Sequence, residues 1–337
     1  MRAMELARPA PIAAAPLTAV ERPTPEPAAG EVLVRVAACG ICRTDLHLVT
    51  GELPLVRAPI VPGHQIVGRV ARVGDGVAHV RAGDRVGVAW LRWTCGACAF
   101  CASGRENLCL RAEFTGYHAD GGYAEYAVAP AAYTYALPEG YGDAEAAPLL
   151  CAGIIGYRAL RRSRVEPGGR LLMYGFGSSA HITLQVAVRR GIEVYVCTRE
   201  AANRALASSL GAVWTGRPAE RPPVEADGAI VFAPAGELVP VALRSLARGA
   251  TVALAGIYMT TIPSLDYAAL FGERAITSVT ANTREDGRAL LTEAARFSLR
   301  PVVTPFALED ANQALQRLAE GAFAGSGVLV MPSASGV

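Results

Sequence analysis

The sequence predicts an α/β chain of two domains, one mostly β and one built on a doubly wound parallel sheet. Three observations carry this expectation. Short strands and turns alternate from Glu31 to Trp90. Four cysteines crowd into residues 95–109. A strand, a glycine turn, a helix and a second strand follow one another from Arg170 to Thr198. At 337 residues and 52% apolar content, each domain can bury its own core.

Composition excludes several classes. Only 18% of residues are charged and the net charge is +2, with no clustered basic run. That is no footprint for nucleic acid. Every basic side chain outside histidine is arginine, which removes Schiff-base lysines and the P-loop lysine together. No stretch of about 18 apolar residues could span a membrane. The first thirty residues are Ala- and Pro-rich, with Glu5, Arg8 and prolines at 9, 11 and 16, so no signal peptide is expected. A cytoplasmic chain keeps its eight cysteines reduced, and clustered thiols there point to metal or catalysis before disulfides.

Residues 31–38, EVLVRVAA, alternate as a half-buried strand does. At its end lies Ala38-Cys39-Gly40-Ile41-Cys42-Arg43-Thr44-Asp45-Leu46-His47, expected as a functional loop. A thiol, a guanidinium, a hydroxyl, a carboxylate and an imidazole in one short segment are costly in a core but useful at a metal site with a proton exit. A Pro- and Gly-fixed turn then presents His64, and IVGRVARVG and DRVGVAW read as further strands. Cys95, Cys98, Cys101 and Cys109 follow, three of them at CxxCxxC spacing. Four thiols so placed can close a tetrahedral zinc cage that leaves no position for substrate. An iron–sulfur cluster is the lesser alternative, since no proline follows the fourth cysteine.

Residues 143–163 read as one Ala-rich helix carrying Cys151, with a Pro-Gly-Gly turn after it. RLLMYG is a buried strand, Gly175-Phe176-Gly177-Ser178-Ser179-Ala180 is GxGxxA, HITLQVAVRRG is an amphipathic helix and IEVYVCT the second strand. In that setting the glycines let backbone approach a pyrophosphate, and the helix N-terminus supplies N–H groups to it. An acid usually ends the second strand in NAD binders. Here Thr198 and Arg199 stand there, with Arg204 a turn on and Glu200 between, which favours NADP(H) over NAD(H). Further βα units run to about residue 283. A helix, the 302–306 strand, a second helix and the strand GVLVMP complete the chain.

The motifs GICRTDLH, PGHQ, the four-thiol lobe, PLLCAGIIGYRAL and GFGSSA, in this order, make the chain resemble the medium-chain zinc-dependent alcohol dehydrogenases, especially the bacterial propanol-preferring branch. The resemblance implies a GroES-like catalytic domain over 1–150 and 284–337, with the zinc lobe at 95–109, and a Rossmann domain over 151–283. It implies two Zn2+ ions per chain, a catalytic one on Cys42, His64 and Cys151 and a structural one on the four lobe cysteines. It further implies that Asp45 orients His64 and that Thr44 takes the alcohol proton. His47 then receives that proton by way of the cofactor ribose, and Arg43 reaches the pyrophosphate. The substrate would be a small alcohol or aldehyde, and relatives suggest a dimer or tetramer.

Three departures from the family stand out: Gln65 in place of Glu, Ala180 as the third fingerprint residue, and Ser326 where many members carry Arg. Cys39 and Cys42 form a CxxC, so a redox dithiol is the competing reading of that pair. Trp90 and, less so, Trp93 are candidate pocket residues. Two other functions compete on the same motifs, a zinc-free quinone or enoyl reductase and a non-catalytic zinc- and nucleotide-binding protein.

Overall fold

The structure is a computed structural model describing residues 1–332. The chain forms two compact units. The first comprises Met1–Cys151, Ala281–Thr292 and the chain from Pro301 onward, and the second Ala152–Thr280 with Glu293–Arg300. The helix Arg284–Phe297 is thus divided, and Glu293–Arg300 pack with the second unit, whereas the sequence boundary at 284 had assigned them to the first. The cause is local: Arg190 pairs with Glu293 at 3.1 Å, and Gln185 exchanges hydrogen bonds with the backbone of Arg300.

The core of the first unit is a seven-stranded sheet. Its path runs Val303–Ala307, Ser326–Val330, Glu31–Gly40, Gln65–Val73, Arg85–Val88 and Thr134–Ala136, and Tyr126–Pro130 also pairs with Glu31–Gly40. The Ala- and Pro-rich N-terminus is more ordered than its composition suggests. Arg2–Leu6 and Leu17–Glu21 form an antiparallel hairpin that buries Ala3, Met4, Leu6 and Leu17. Register matters most between Glu31–Gly40 and Gln65–Val73. Gly40 stands opposite Gln65, so the residues just past one strand and just before the other emerge together. Those residues are Cys42 and His64.

The second unit is a six-stranded parallel sheet in the order Trp214–Gly216, Glu193–Cys197, Arg170–Tyr174, Ala226–Val231, Leu246–Leu254, Ala275–Ser278. Numbered along the chain this is 3-2-1-4-5-6, the doubly wound dinucleotide-binding order. The buried strands are runs of Leu, Val, Ile, Ala and Tyr, as expected of a parallel sheet covered on both faces. Among the described residues, no helix is long and apolar enough to cross a membrane.

Two sequence expectations are corrected. The 143–163 helix is broken: Asp143–Ala146 is α, Ala147–Leu150 tightens to a 3-10 turn around Pro148, and Ala152–Ser163 resumes as α. Cys151 sits at the break with φ −137° and ψ −67°, outside helical geometry. The segment after Cys42, expected as a loop, is a helix, Arg43–Thr50. Its start is secured by the Asp45 side chain, which accepts from the backbone N–H of Cys42 at 2.9 Å, so a residue read only for function also nucleates structure.

In the second unit, Ala152–Ser163 and Ser178–Arg189 cross closely because Gly156 has no side chain. A Cβ there would stand 1.9 Å from Thr183 Oγ1 and 3.0 Å from the carbonyl of Ser179. Gly156→Ala is expected to destabilise the protein by about 1–3 kcal/mol through overpacking. Denaturant unfolding checks this, and an unchanged midpoint would mean that the two helices separate at no cost.

Candidate metal centres and cofactor turn

The break at Cys151 and the register of the central strands bring three donors together. Cys42 Sγ lies 4.0 Å from Cys151 Sγ, and His64 Nε2 lies 3.3 Å from Cys151 Sγ. All three donor atoms fall within 4.8 Å of one another. Zn–S and Zn–N bonds of about 2.3 and 2.0 Å at tetrahedral angles place two thiolates about 3.8 Å apart and a thiolate and imidazole about 3.5 Å apart. The cluster fits one zinc ion with a fourth position left over.

His64 is buried, and its second nitrogen, Nδ1, bonds Asp45 Oδ1 at 3.2 Å. The same oxygen accepts from the N–H of Gly63 at 3.2 Å. Asp45, 2% exposed, therefore ties the start of the Arg43–Thr50 helix to the turn that carries His64, and fixes the tautomer that points Nε2 at the two sulfurs. Gly63 is required at that turn. Its φ is +98°, and a Cβ would stand 2.4 Å from the Tyr123 ring.

Burial pushes the His64 imidazole towards neutrality, but Asp45 on one side and Cys42 on the other outweigh it and raise His64 to about 10. Cys42 is held well below the ordinary thiol range, first by its hydrogen bond with Cys151. The same contact, with burial, pushes Cys151 well up. Cys39 differs. It lies within its strand, fully buried, with its thiol pushed well up by burial and bonded to the Gly40 carbonyl, the profile of an inert core thiol.

The four-thiol lobe is equally compact. Cys98 and Cys101 sulfurs lie 3.5 Å apart, Cys95 and Cys109 3.6 Å, and Cys95 and Cys101 3.9 Å. These separations match the edges of a single ZnS4 tetrahedron, about 3.8 Å, and leave no room for a cluster of several irons. Backbone N–H groups of Ala97 and Cys98 bring Cys95 down to about 5, while burial pushes Cys101 up to about 11. The lobe is closed by the antiparallel strands Leu91–Trp93 and Glu113–Phe114. It is anchored by Glu106, which holds Arg284 through contacts of 2.7 and 3.1 Å.

Around the first cluster, Thr44 is 9% exposed and its hydroxyl lies 3.7 Å from Cys42 Sγ. Arg43 points to solvent. His47 is buried, and its Nδ1 bonds Glu52, a contact the sequence reading missed; the signal was an acid just past the Gly51 that ends the helix. Trp90 meets the His64 ring edge-on at 4.9 Å and stacks on Phe114 at 4.8 Å, with Tyr117 beyond at 6.0 Å. Trp93 is 38% exposed and joins no such stack among the described residues. Gln65 is buried against Gly40, and its Oε1 has no hydrogen-bond partner among the described residues.

The glycine turn belongs to the second unit. Gly175 has φ +86° and lies against Ala233, so close that a Cβ would meet its backbone N at 2.9 Å. Gly177 faces open space and precedes the Ser178–Arg189 helix, which begins without a side-chain cap. Ser178 and Ser179 form the first turn, and Ala180 is fully buried, so a methyl fits where the third glycine usually stands. At the end of Glu193–Cys197, Thr198 donates to Glu200 at 3.3 Å. Arg199 is exposed, and Arg204 is turned inward to the carbonyls of Thr198 and Arg199 at 2.9 and 2.6 Å. Of the two arginines, Arg199 is the more exposed.

Known proteins agree with this architecture. The family model for the alcohol dehydrogenase GroES-like domain matches residues 28–139. A Mycobacterium tuberculosis (strain CDC 1551 / Oshkosh) protein named probable alcohol dehydrogenase AdhA is 51% identical over 337 aligned residues, covering 98% of this chain and 97% of its own. Among solved structures, a Sorghum bicolor cinnamyl alcohol dehydrogenase superposes with TM-score 0.90 at 27% identity, over 98% of this chain and 97% of that one. A cobalt- and zinc-bound thermostable alcohol dehydrogenase from Pyrobaculum aerophilum gives 0.88 at 28%, over 98% and 99%. The chain belongs to the medium-chain alcohol dehydrogenase family, and so to the oxidoreductases that act on alcohols and aldehydes.

Replacing Asp45 by Asn keeps the shape but removes the charge that faces His64 and two backbone N–H groups. Asp45→Asn is expected to weaken zinc binding at Cys42, His64 and Cys151 by about 10–100-fold. Competition against a chromophoric chelator measures this, and wild-type affinity would show that Asp45 does not support the metal.

Proposed function

We propose that the protein is a zinc-dependent alcohol dehydrogenase holding two zinc ions per chain and preferring NADP(H) to NAD(H). The observation that carries this reading is the Cys42, His64 and Cys151 cluster, whose donors fit a zinc with one position open to substrate. A zinc-free quinone or enoyl reductase would have no use for two thiols and an imidazole so gathered. The closed cage of Cys95, Cys98, Cys101 and Cys109 holds the second ion as a structural one. When bound, zinc supplies a Lewis acid for the substrate oxygen and the nicotinamide accepts the hydride.

The chain's own residues do the rest. Thr44 takes the alcohol proton through its hydroxyl, beside the Cys42 sulfur. His47 delivers that proton outward. Asp45 keeps His64 in its ligating tautomer. Trp90, edge-on to His64 and backed by Phe114, gives a flat apolar wall that favours an alcohol with an apolar group beside the reacting carbon. Gly175, Gly177, Ser178, Ser179 and Ala180 hold the pyrophosphate at a helix N-terminus, and the exposed Arg43 is a further phosphate contact. Arg199 supports the NADP(H) preference, next to Thr198, while Arg204 braces the strand end by bonding both their carbonyls.

The test is a steady-state panel of alcohols and aldehydes with both cofactors in parallel, run beside metal analysis. Zinc content is expected at two per chain, falling to one in Cys42→Ser, which loses turnover but still binds dinucleotide. A strong NAD(H) preference would overturn the reading of Thr198 and Arg199, and an active Cys42→Ser would overturn the ligand assignment.

A further inference from the structure

We infer that Glu52 is the outward end of the proton path, the group that takes the proton from His47 and hands it to water. This rests on the reading of His47 as the imidazole that delivers the proton outward. The local backbone places the carboxylate there. The Arg43–Thr50 helix ends at Gly51, whose φ of +84° turns the chain back, with its N–H on the carbonyl of Leu48. The N–H of Leu53 then bonds the carbonyl of His47 itself at 2.9 Å. The residue between, Glu52, bonds the His47 Nδ1 through Oε2.

Exposure gives this pair a direction. The His47 side chain is 9% exposed and its Nε2 is buried, whereas the Glu52 side chain is 60% exposed. One ring nitrogen faces the interior and the other faces a carboxylate in water. In alcohol oxidation a proton arrives at Nε2, and the imidazolium so formed is faced by the Glu52 carboxylate. The Nδ1 proton passes to Oε2 and then to solvent. The ring is left neutral with its proton on Nε2, and exchange of ring protons with water between turnovers restores the Nδ1–H tautomer. One proton enters and one leaves per turnover, and aldehyde reduction runs the same transfers backwards. Glu52 is therefore a positioning residue that acts through His47, and no substrate contact is required of it.

The test compares Glu52→Gln, Glu52→Asp and His47→Gln in alcohol oxidation at constant pH, with added imidazole buffer as the probe. Glu52→Gln is expected to lower kcat by about 100-fold, at the low end of general acid–base effects, with little change in KM. Its rate should rise with imidazole concentration while the wild type stays flat, and Glu52→Asp should regain most of the loss. A Glu52→Gln enzyme at wild-type rate beside an impaired His47→Gln would overturn the role of Glu52 alone. A loss in Glu52→Gln that imidazole does not restore would mark a structural role and also overturn it. Wild-type rate in His47→Gln would instead sink the reading of His47 on which the inference stands.

Discussion

The first site depends on one buried carboxylate. Asp45 accepts three hydrogen bonds, from the backbone of Cys42, from the backbone of Gly63 and from His64 Nδ1. Hydrogen bonds to a charged group contribute about 1.5–3 kcal/mol each, enough to offset the burial of one charge. The three donors lie in segments about twenty residues apart in the chain, so Asp45 does work that neither segment does alone. It accepts from the N–H of the residue that starts the helix, and holds the Gly63 turn against that start. Cys42 and His64 are both bonded to this one group.

The sheet supplies the coarse alignment that Asp45 refines. Because Gly40 pairs with Gln65, a slip of one residue would carry Cys42 and His64 to opposite faces. Cys151 arrives by a different device, a break in regular structure. A helical residue at that point would point its side chain along the helix face, whereas the extended φ of Cys151 swings its sulfur out to the other two ligands. Pro148 is the sequence cause, since it tightens the preceding turn and forbids an unbroken helix.

Much of this was legible in the sequence, for reasons that differ by residue. The cysteine lobe and GFGSSA are local, so their chemistry is written in spacing alone, and the parallel strands announce themselves as apolar runs. The Cys42, His64 and Cys151 grouping is not local. Spacing cannot bring positions 42 and 151 together, and only the resemblance to a family pointed to it. The helix break at Cys151 is masked in the sequence because the alanines and leucines around Pro148 have high helix propensity. Arg204 was read as a phosphate contact from its position a turn along, but its guanidinium is drawn back to two backbone carbonyls that the strand end leaves open. The aromatic stack of Trp90, Phe114 and Tyr117 was invisible because its members meet only when the two strands flanking the cysteine lobe pair.

Charge balance gives a physical reason for the departure at Gln65. A zinc ion held as proposed by two thiolates and a neutral imidazole would carry no net charge, and Asp45 adds one negative charge behind the imidazole. All of these groups are buried or nearly so, as is Gln65 at 1% exposure. A glutamate at that position would add a buried carboxylate that lacks the hydrogen bonds Asp45 has, at a cost of several kcal/mol. It would also compete with the thiolates for the same cation. The amide keeps the size of the side chain, packs on Gly40 as a glutamate would, and removes the charge. The electrostatic load of the site therefore falls on Asp45 alone, whose hydrogen bonds are complete, and not on a second acid whose oxygen would have no donor to meet.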